Sequence, residues 1–259
     1  MNLLKCFLTA SDCYKTGKKI TPKGVMVHST GANNPNVKRY VQPLKTDSEY
    51  AALTQKLGTN NNGNHWNRSG LNVGVHAFIG KLADGTVGTV QTLPWNHRGW
   101  HAGSGKKGSA NDTHISFEIC EGSLTDAAYF KKVYQEAVEL TAMLCKEYKL
   151  DPVADGVVIC HSEGYKRGVA SNHGDVMHWF PKHGKSMDDF RKDVQAQMGA
   201  VKPSVKAKTF TVKAMGADVY SSPATAQISG VYTITEEKNG YGKLKSGAGW
   251  VRLSDVLRL

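Results

Sequence analysis

Short apolar runs rich in valine and isoleucine, bounded by glycine and polar turns, recur along the first part of the chain and predict β-strands. Candidate strands are Gly24–His28, Val73–Ile79, Thr86–Gln91, Ile115–Cys120 and Val157–His161. Between the last two the period changes. Phe130, Val133, Ala137, Leu140 and Leu144 recur at three and four residues over a polar opposite face, which predicts an amphipathic helix from Thr125 to Tyr148, closed by Asp151-Pro152. Shorter helical segments are expected at Asp47–Leu57 and Met187–Met198, and the glycine- and asparagine-rich stretch from Gly58 to Gly70 reads as a surface loop. Strands mixed with helices in this way imply an α/β layer structure, a mixed central β-sheet flanked by helices.

Near residue 199 the pattern dissolves into small residues, one proline and lysines, the composition of a linker. The remainder of the chain holds short alternating segments, Phe210–Ala214, Asp218–Tyr220, Gly230–Glu236, Tyr241–Leu244 and Gly249–Leu253, separated by glycine, serine and asparagine turns. The expected organisation is therefore an α/β domain over 1–198, a linker over 199–208 and a small all-β barrel over 209–259.

Composition narrows the function classes. The 259 residues are 40% hydrophobic and 21% charged, with no apolar stretch near the roughly 18 residues that a membrane span requires, so no membrane span and no disordered class is expected. Thirty-three basic residues against 22 acidic ones give a formal charge of +11, and residues 201–259 carry nine basic against four acidic, which favours a polyanionic partner. Nucleic acid is not expected as that partner, because no RNP, helix-turn-helix or zinc-finger pattern is present. The five cysteines are scattered without a CxxC, which argues against a disulfide framework and a four-cysteine zinc site and for a reducing folding compartment. Lys5 interrupts the short N-terminal apolar run and no small-residue cleavage site comes after it, so the expectation is synthesis in the cytoplasm without a signal peptide.

The histidines carry the chemistry. His28 ends one apolar run and His161 ends another, so two predicted strands each deliver an imidazole from their last residue, while Asn172-His173-Gly174-Asp175 comes later, across a loop. A catalytic zinc site takes three protein ligands and keeps a position open, and His28, His161 and Asp175 can supply such a set. Strand-end histidines also serve as hydrogen-bonded structural residues, and no HExxH is present, so spacing alone leaves the choice open. Gly103-Ser-Gly-Lys-Lys-Gly108 matches GxGxxG but precedes a strand rather than opening a helix, which makes it a loop at a cleft rim rather than a dinucleotide site.

Several ordered blocks go further. Val27-His28-Ser29-Thr30, Val75-His76-Ala77-Phe78-Ile79 with Asp84-Gly85-Thr86-Val87, Arg98-Gly99-Trp100-His101-Ala102-Gly103, Asn111-Asp112 with Ile115-Ser116-Phe117-Glu118, and Cys160-His161-Ser162-Glu163 with Asn172-His173-Gly174-Asp175 together resemble the zinc-dependent N-acetylmuramoyl-L-alanine amidases of the type 2 amidase and peptidoglycan-recognition-protein superfamily, over roughly residues 20 to 195. The resemblance implies the amidase/peptidoglycan-recognition fold and a hydrolase for the amide between N-acetylmuramic acid and L-alanine of the stem peptide. It implies Zn2+ held by His28, His161 and Asp175, with His173 competing for the third place. It also implies Glu118 as the proton-transferring carboxylate and His173 as the group meeting the carbonyl oxygen. His76, Trp100 and His101 become substrate-pocket residues, and Trp179 a further aromatic that could stack on substrate. Val75 stands where some branches have tyrosine, which moves proton transfer onto Glu118. The segments Val219–Pro223, Tyr232–Thr235, Gly240–Leu244 and Gly249–Val251 resemble bacterial Src-homology-3-like domains that bind cell walls. Peptidoglycan is then the expected partner, with anionic cell-wall polymers met by the basic C-terminal domain. The combination suggests a phage or prophage endolysin acting on the wall after release, the alternatives being a bacterial autolysin or a non-catalytic recognition module.

Overall fold

The computed structural model describes residues 1–199, 210–221, 224–238, 240–246 and 249–258. It divides into two compact units, Met1–Gly199 and Ala200–Leu259. Gly199 of the expected linker ends a helix, and the rest of that linker lies outside the described residues.

The first unit is built on a six-stranded sheet ordered β1-β4-β3-β5-β2-β6. Its strands are β1 (Leu3–Lys5), β2 (Gly24–Ser29), β3 (Ala77–Lys81), β4 (Val87–Gln91), β5 (His114–Ile119) and β6 (Val158–Cys160). β3 and β4 form an antiparallel hairpin, and every other pairing is parallel. All six residues of β2 are buried, as expected for a central parallel strand covered on both faces.

Alternation divides the strands between two faces. Val25, Val27, Ile115, Phe117, Ile119, Val158 and Cys160 join one large core cluster with Phe130, Val133, Ala137, Leu140 and Leu144 of the long helix and Phe190 and Val194 of the last one. The intervening residues, Met26 and His28 on β2 and Ser116 and Glu118 on β5, turn to the other face, which is the face that carries the chemistry.

Five helices accompany the sheet: α1 (Asp12–Lys15), α2 (Tyr50–Leu57), α3 (Ala127–Tyr148), α4 (His161–Lys166) and α5 (Met187–Gly199). Asp126 caps α3 by accepting from the Tyr129 amide at 3.0 Å. The helix does not wait for Asp151-Pro152 to end: Lys149 takes a left-handed conformation at φ 56° and closes it two residues earlier. β1 and α1 lie outside the predicted elements, being too short for a periodic signal.

Three other expectations are corrected. The predicted strand over Val73–Ile79 begins only at Ala77, because Gly74 instead exchanges backbone hydrogen bonds with Trp100 at 3.0 and 2.8 Å. His161 opens α4 rather than closing β6, the Glu163 carboxylate accepting from the Cys160 amide at 3.1 Å to fix the helix start. The stretch from Gly58 to Gly70 is more than a surface loop. Trp66 packs edge-on against Phe78, and Asn67 is buried with its side chain bonded to Ala10 and Gln42.

The second unit contains β7 (Phe210–Ser221), β8 (Ala224–Lys238), β9 (Tyr241–Leu244), β10 (Trp250–Arg252) and β11 (Val256–Arg258). The ladder runs β10-β9-β8-β7-β11, and β10 also pairs with β7, so it returns on itself. Ile234, Leu244 and Val251 form a small core. Two of the predicted strands, Phe210–Ala214 and Asp218–Tyr220, are one strand with an irregularity between Met215 and Ala217. Among the described residues no helix is long and apolar enough to cross a membrane.

Candidate metal centre and active site

Three side chains converge near the C-terminal ends of β2 and its neighbour β6. His28 lies on β2, His161 starts α4 directly after β6, and Asp175 opens a short 3-10 helix, Asp175–His178. His28 Nδ1 and His161 Nδ1 are 3.3 Å apart, and they stand 3.3 and 3.0 Å from Asp175 Oδ2. A tetrahedral ion with bonds of about 2.0–2.1 Å has ligand-to-ligand edges of roughly 3.3–3.4 Å, so the three atoms are spaced as one zinc ion's ligands would be.

The donor set fits a cation on a second ground. His28 Nε2 lies 3.0 Å from His101 Nδ1, and His101 Nε2 lies 3.3 Å from the His114 carbonyl. Because that carbonyl can only accept, His101 donates from Nε2, His28 donates to His101 Nδ1, and a lone pair remains on His28 Nδ1 facing the other two ligand atoms. Asp175 Oδ2 is itself buried with no donor aligned on it. Burial holds His28 neutral, its pKa lowered despite Asp175 beside it. Burial also pushes the Asp175 carboxyl up, yet the flanking imidazoles of His161 and His28 outweigh it and keep the group ionised. Two imidazole nitrogens and a carboxylate oxygen gathered this closely in a buried place are a donor set that suits a positive ion.

Glu118 stands beside this set. It is paired in register with His28 on the neighbouring parallel strand, so both side chains leave the same face. Its Oε2 is buried without a hydrogen-bond partner. Burial, then the charges of Asp175 and Glu121, raise its pKa well above the ordinary carboxylate value. His173 is exposed, its ring centroid 4.6 Å from that of His161 and its Nδ1 3.1 Å from Ser171 Oγ. Ser171 Oγ also reaches His161 Nε2 at 3.3 Å, so one hydroxyl joins the two imidazoles.

The predicted pocket residues fare differently. His76 is 0% exposed and both its nitrogens are occupied, Nδ1 by the Ser116 amide at 3.0 Å and Nε2 by the His97 carbonyl at 2.8 Å. It is a structural histidine with a pKa lowered to about 4 by burial, not a substrate contact. His101 is half-buried and serves as the hydrogen-bond partner of His28. Trp100 is half-buried and keeps some surface, whereas Trp179 is fully buried in the core against Phe130 and cannot stack on a ligand. Cys160 is likewise core, with its thiol pKa raised by burial.

Sequence reasoning missed the supports. Asn111 Oδ1 accepts from the amides of both His101 and Ala102 at 2.8 Å, holding the loop behind His28. Asn111 stands in one of the ordered blocks, but only the fold reveals what it touches. Ser171 and the buried Glu121 give no periodic or spacing signal at all.

The N-acetylmuramoyl-L-alanine amidase family model matches residues 18–177. A curated relative, the N-acetylmuramoyl-L-alanine amidase CwlA of a Bacillus species, is 36% identical over 61 residues, which is 24% of this chain and 24% of that protein. The match thus spans about a quarter of the relative's length. Among solved structures, the Staphylococcus aureus hydrolase AmiA, determined with its ligand, superposes with a TM-score of 0.53 at 18% identity over 78% of this chain and 88% of that one, which shows a shared fold. A mutant endolysin from Bacillus subtilis aligns at a TM-score of 0.46 and 22% identity, over 75% of this chain and 99% of its own. With the family model covering well over half of its length, this chain belongs to the N-acetylmuramoyl-L-alanine amidase family.

Proposed function

We propose that this protein is a zinc-dependent peptidoglycan hydrolase that cleaves the amide between N-acetylmuramic acid and L-alanine of the stem peptide. The observation that carries the reading is the triangle of His28 Nδ1, His161 Nδ1 and Asp175 Oδ2 with edges of 3.0–3.3 Å, set beside an unpartnered buried carboxylate. Zinc held there would supply a Lewis acid for the scissile carbonyl and make water acidic enough to react near neutral pH.

The chain's own residues do the rest. Glu118 Oε2 takes the proton of the attacking water and passes it to the departing L-alanine amine, the role its burial and missing partner suit. His173, steadied at Nδ1 by Ser171, offers Nε2 to the carbonyl oxygen as charge builds there. Trp100, half-buried like His101, keeps surface on which the sugar or peptide can stack.

The second unit is read as a Src-homology-3-like barrel that holds the enzyme on anionic wall polymers. Its closed ladder and its excess of basic residues support that reading. An amidase unit joined to such a module is the plan of a phage or prophage endolysin, acting on the wall after release. Mass spectrometry of digested peptidoglycan tests the activity. The expected products are peptides with a new N-terminal alanine beside intact glycan strands, with release stopped by chelation and restored by zinc. New reducing ends, or cleavage within the stem peptide, would overturn the assignment.

A further inference from the structure

The turn that carries Asp175 is tied to the end of the sheet by a hydrogen bond that the proposed chemistry does not use. Asp175 has φ 46°, a left-handed conformation that residues with a side chain adopt only when their surroundings hold them in it. Two of its anchors are apolar, Val176 and Trp179, each 0% exposed. The third is polar. His178, at the other end of the same 3-10 helix, places Nε2 3.0 Å from Glu121 Oε2.

Glu121 is 3% exposed and fully engaged. Its Oε1 accepts from the Gly31 amide at 3.2 Å, and its own amide donates to Thr30 Oγ1 at 3.1 Å. One carboxylate therefore links the chain just beyond His28, the chain just beyond Glu118 and the helix that begins with Asp175. The His178 side chain is 41% exposed, so it contributes little core packing, and its Nε2 is turned to the buried Glu121 carboxylate.

We propose that Glu121 and His178 are positioning residues for Asp175, setting how tightly the His28–His161–Asp175 site holds its metal. The inference rests on the metal reading given under the proposed function. Partners that orient a ligand from behind are worth roughly ten- to a hundredfold in metal affinity.

The test uses the full-length protein, with Zn2+ affinity measured by competition against a chromophoric chelator and the visible spectrum recorded with Co2+ in its place. His178→Ala is expected to weaken Zn2+ by about ten- to a hundredfold and to change the Co2+ absorption. His178→Gln, whose amide can still donate to Glu121, is expected to recover most of the affinity. Glu121→Gln, a neutral isostere, provides a second variant should the alanine protein fail to fold, with a loss in the same direction. Wild-type affinity and an unchanged Co2+ spectrum in His178→Ala, or no recovery in His178→Gln, overturns the proposal while leaving the metal reading intact. A wild-type protein that binds neither ion overturns both.

Discussion

His28 and Glu118 are in-register partners on adjacent parallel strands, which sets an imidazole of the candidate metal site and an unpaired carboxylate side by side on one face of the sheet. The sheet itself supplies this spacing, so neither side chain depends on a flexible loop for its place. Asp175 comes from the opposite end of the unit's sequence, on a turn anchored by Val176 and Trp179.

Glu118→Gln keeps the shape and removes the proton acceptor. Hydrolysis should fall by about 10²- to 10⁴-fold, the usual worth of a general acid or base, while zinc affinity stays within a few-fold. The chelated protein gives an independent readout. Burial raises the Glu118 pKa in the folded state, so its favourable contribution is complete below the ordinary value of 4.5 and is lost as pH rises through the raised one. Chelated Glu118→Gln should therefore melt higher than chelated wild type at neutral pH, and the gap should close on acidification. An equal or lower melting point at pH 7 would count against a strained carboxylate.

Asp175→Asn tests the opposite sign. The Asp175 carboxyl is held below its ordinary value of 3.8 because the two imidazoles outweigh burial, so it stabilises the fold above that value and the contribution is lost as pH falls through the lowered one. In the chelated state the variant should lose stability relative to wild type at neutral pH, with the difference shrinking below about pH 4. Zinc added at a hundred times its dissociation constant should stabilise wild type by about 2.7 kcal/mol, and Asp175→Asn much less at the same concentration. Calorimetric scans with and without zinc measure both effects.

Much of this site is legible in the residues. His28, His161 and Asp175 stand out because apolar runs end on two histidines and the ordered blocks supply the carboxylate, and the fold brings all three together. The long helix is equally plain from its period. The features that escape the sequence are set by long-range contacts. His76 and His101 stand in the same blocks as the ligands, and only the fold shows that one is sealed between Ser116 and His97 while the other backs His28. The apolar run Val157–Cys160 predicts a strand that reaches His161. The helix start there is dictated by Glu163 reaching back to the Cys160 amide and by Arg191, 3.0 Å from Glu163, from a distant helix.

Electrostatics should govern wall retention. Residues 201–259 hold nine basic and four acidic side chains, and attraction to a polyanion through exposed charges is screened as the Debye length falls from about 10 Å at 0.1 M salt to about 3 Å at 1 M. Sedimentation with purified walls should show binding that drops steeply over that range, more so on walls retaining their anionic polymers than on walls stripped of them. Salt-independent retention would point to recognition by shape instead.

Gly105 offers a test of how the loop at the rim supports the site. A Cβ there would stand 2.4 Å from the Gly168 carbonyl oxygen, because the two loops are joined by the amides of Lys107, Ala110 and Ser171 bonding to Gly168, Val169 and Ala102, each at 2.8 Å. Gly105→Ala must therefore push the loops apart, at a cost of about 1–3 kcal/mol in overpacking. Ser171 lies at the end of this zipper and touches both His161 and His173, so the displacement reaches the chemistry. The variant should lose stability in urea unfolding and lose activity beyond what that instability explains when assayed well below its melting point. Gly199→Ala, at the end of α5 with nothing within 4 Å, serves as the control and should change neither. If Gly105→Ala is as stable and as active as that control, the loop junction does not support the site.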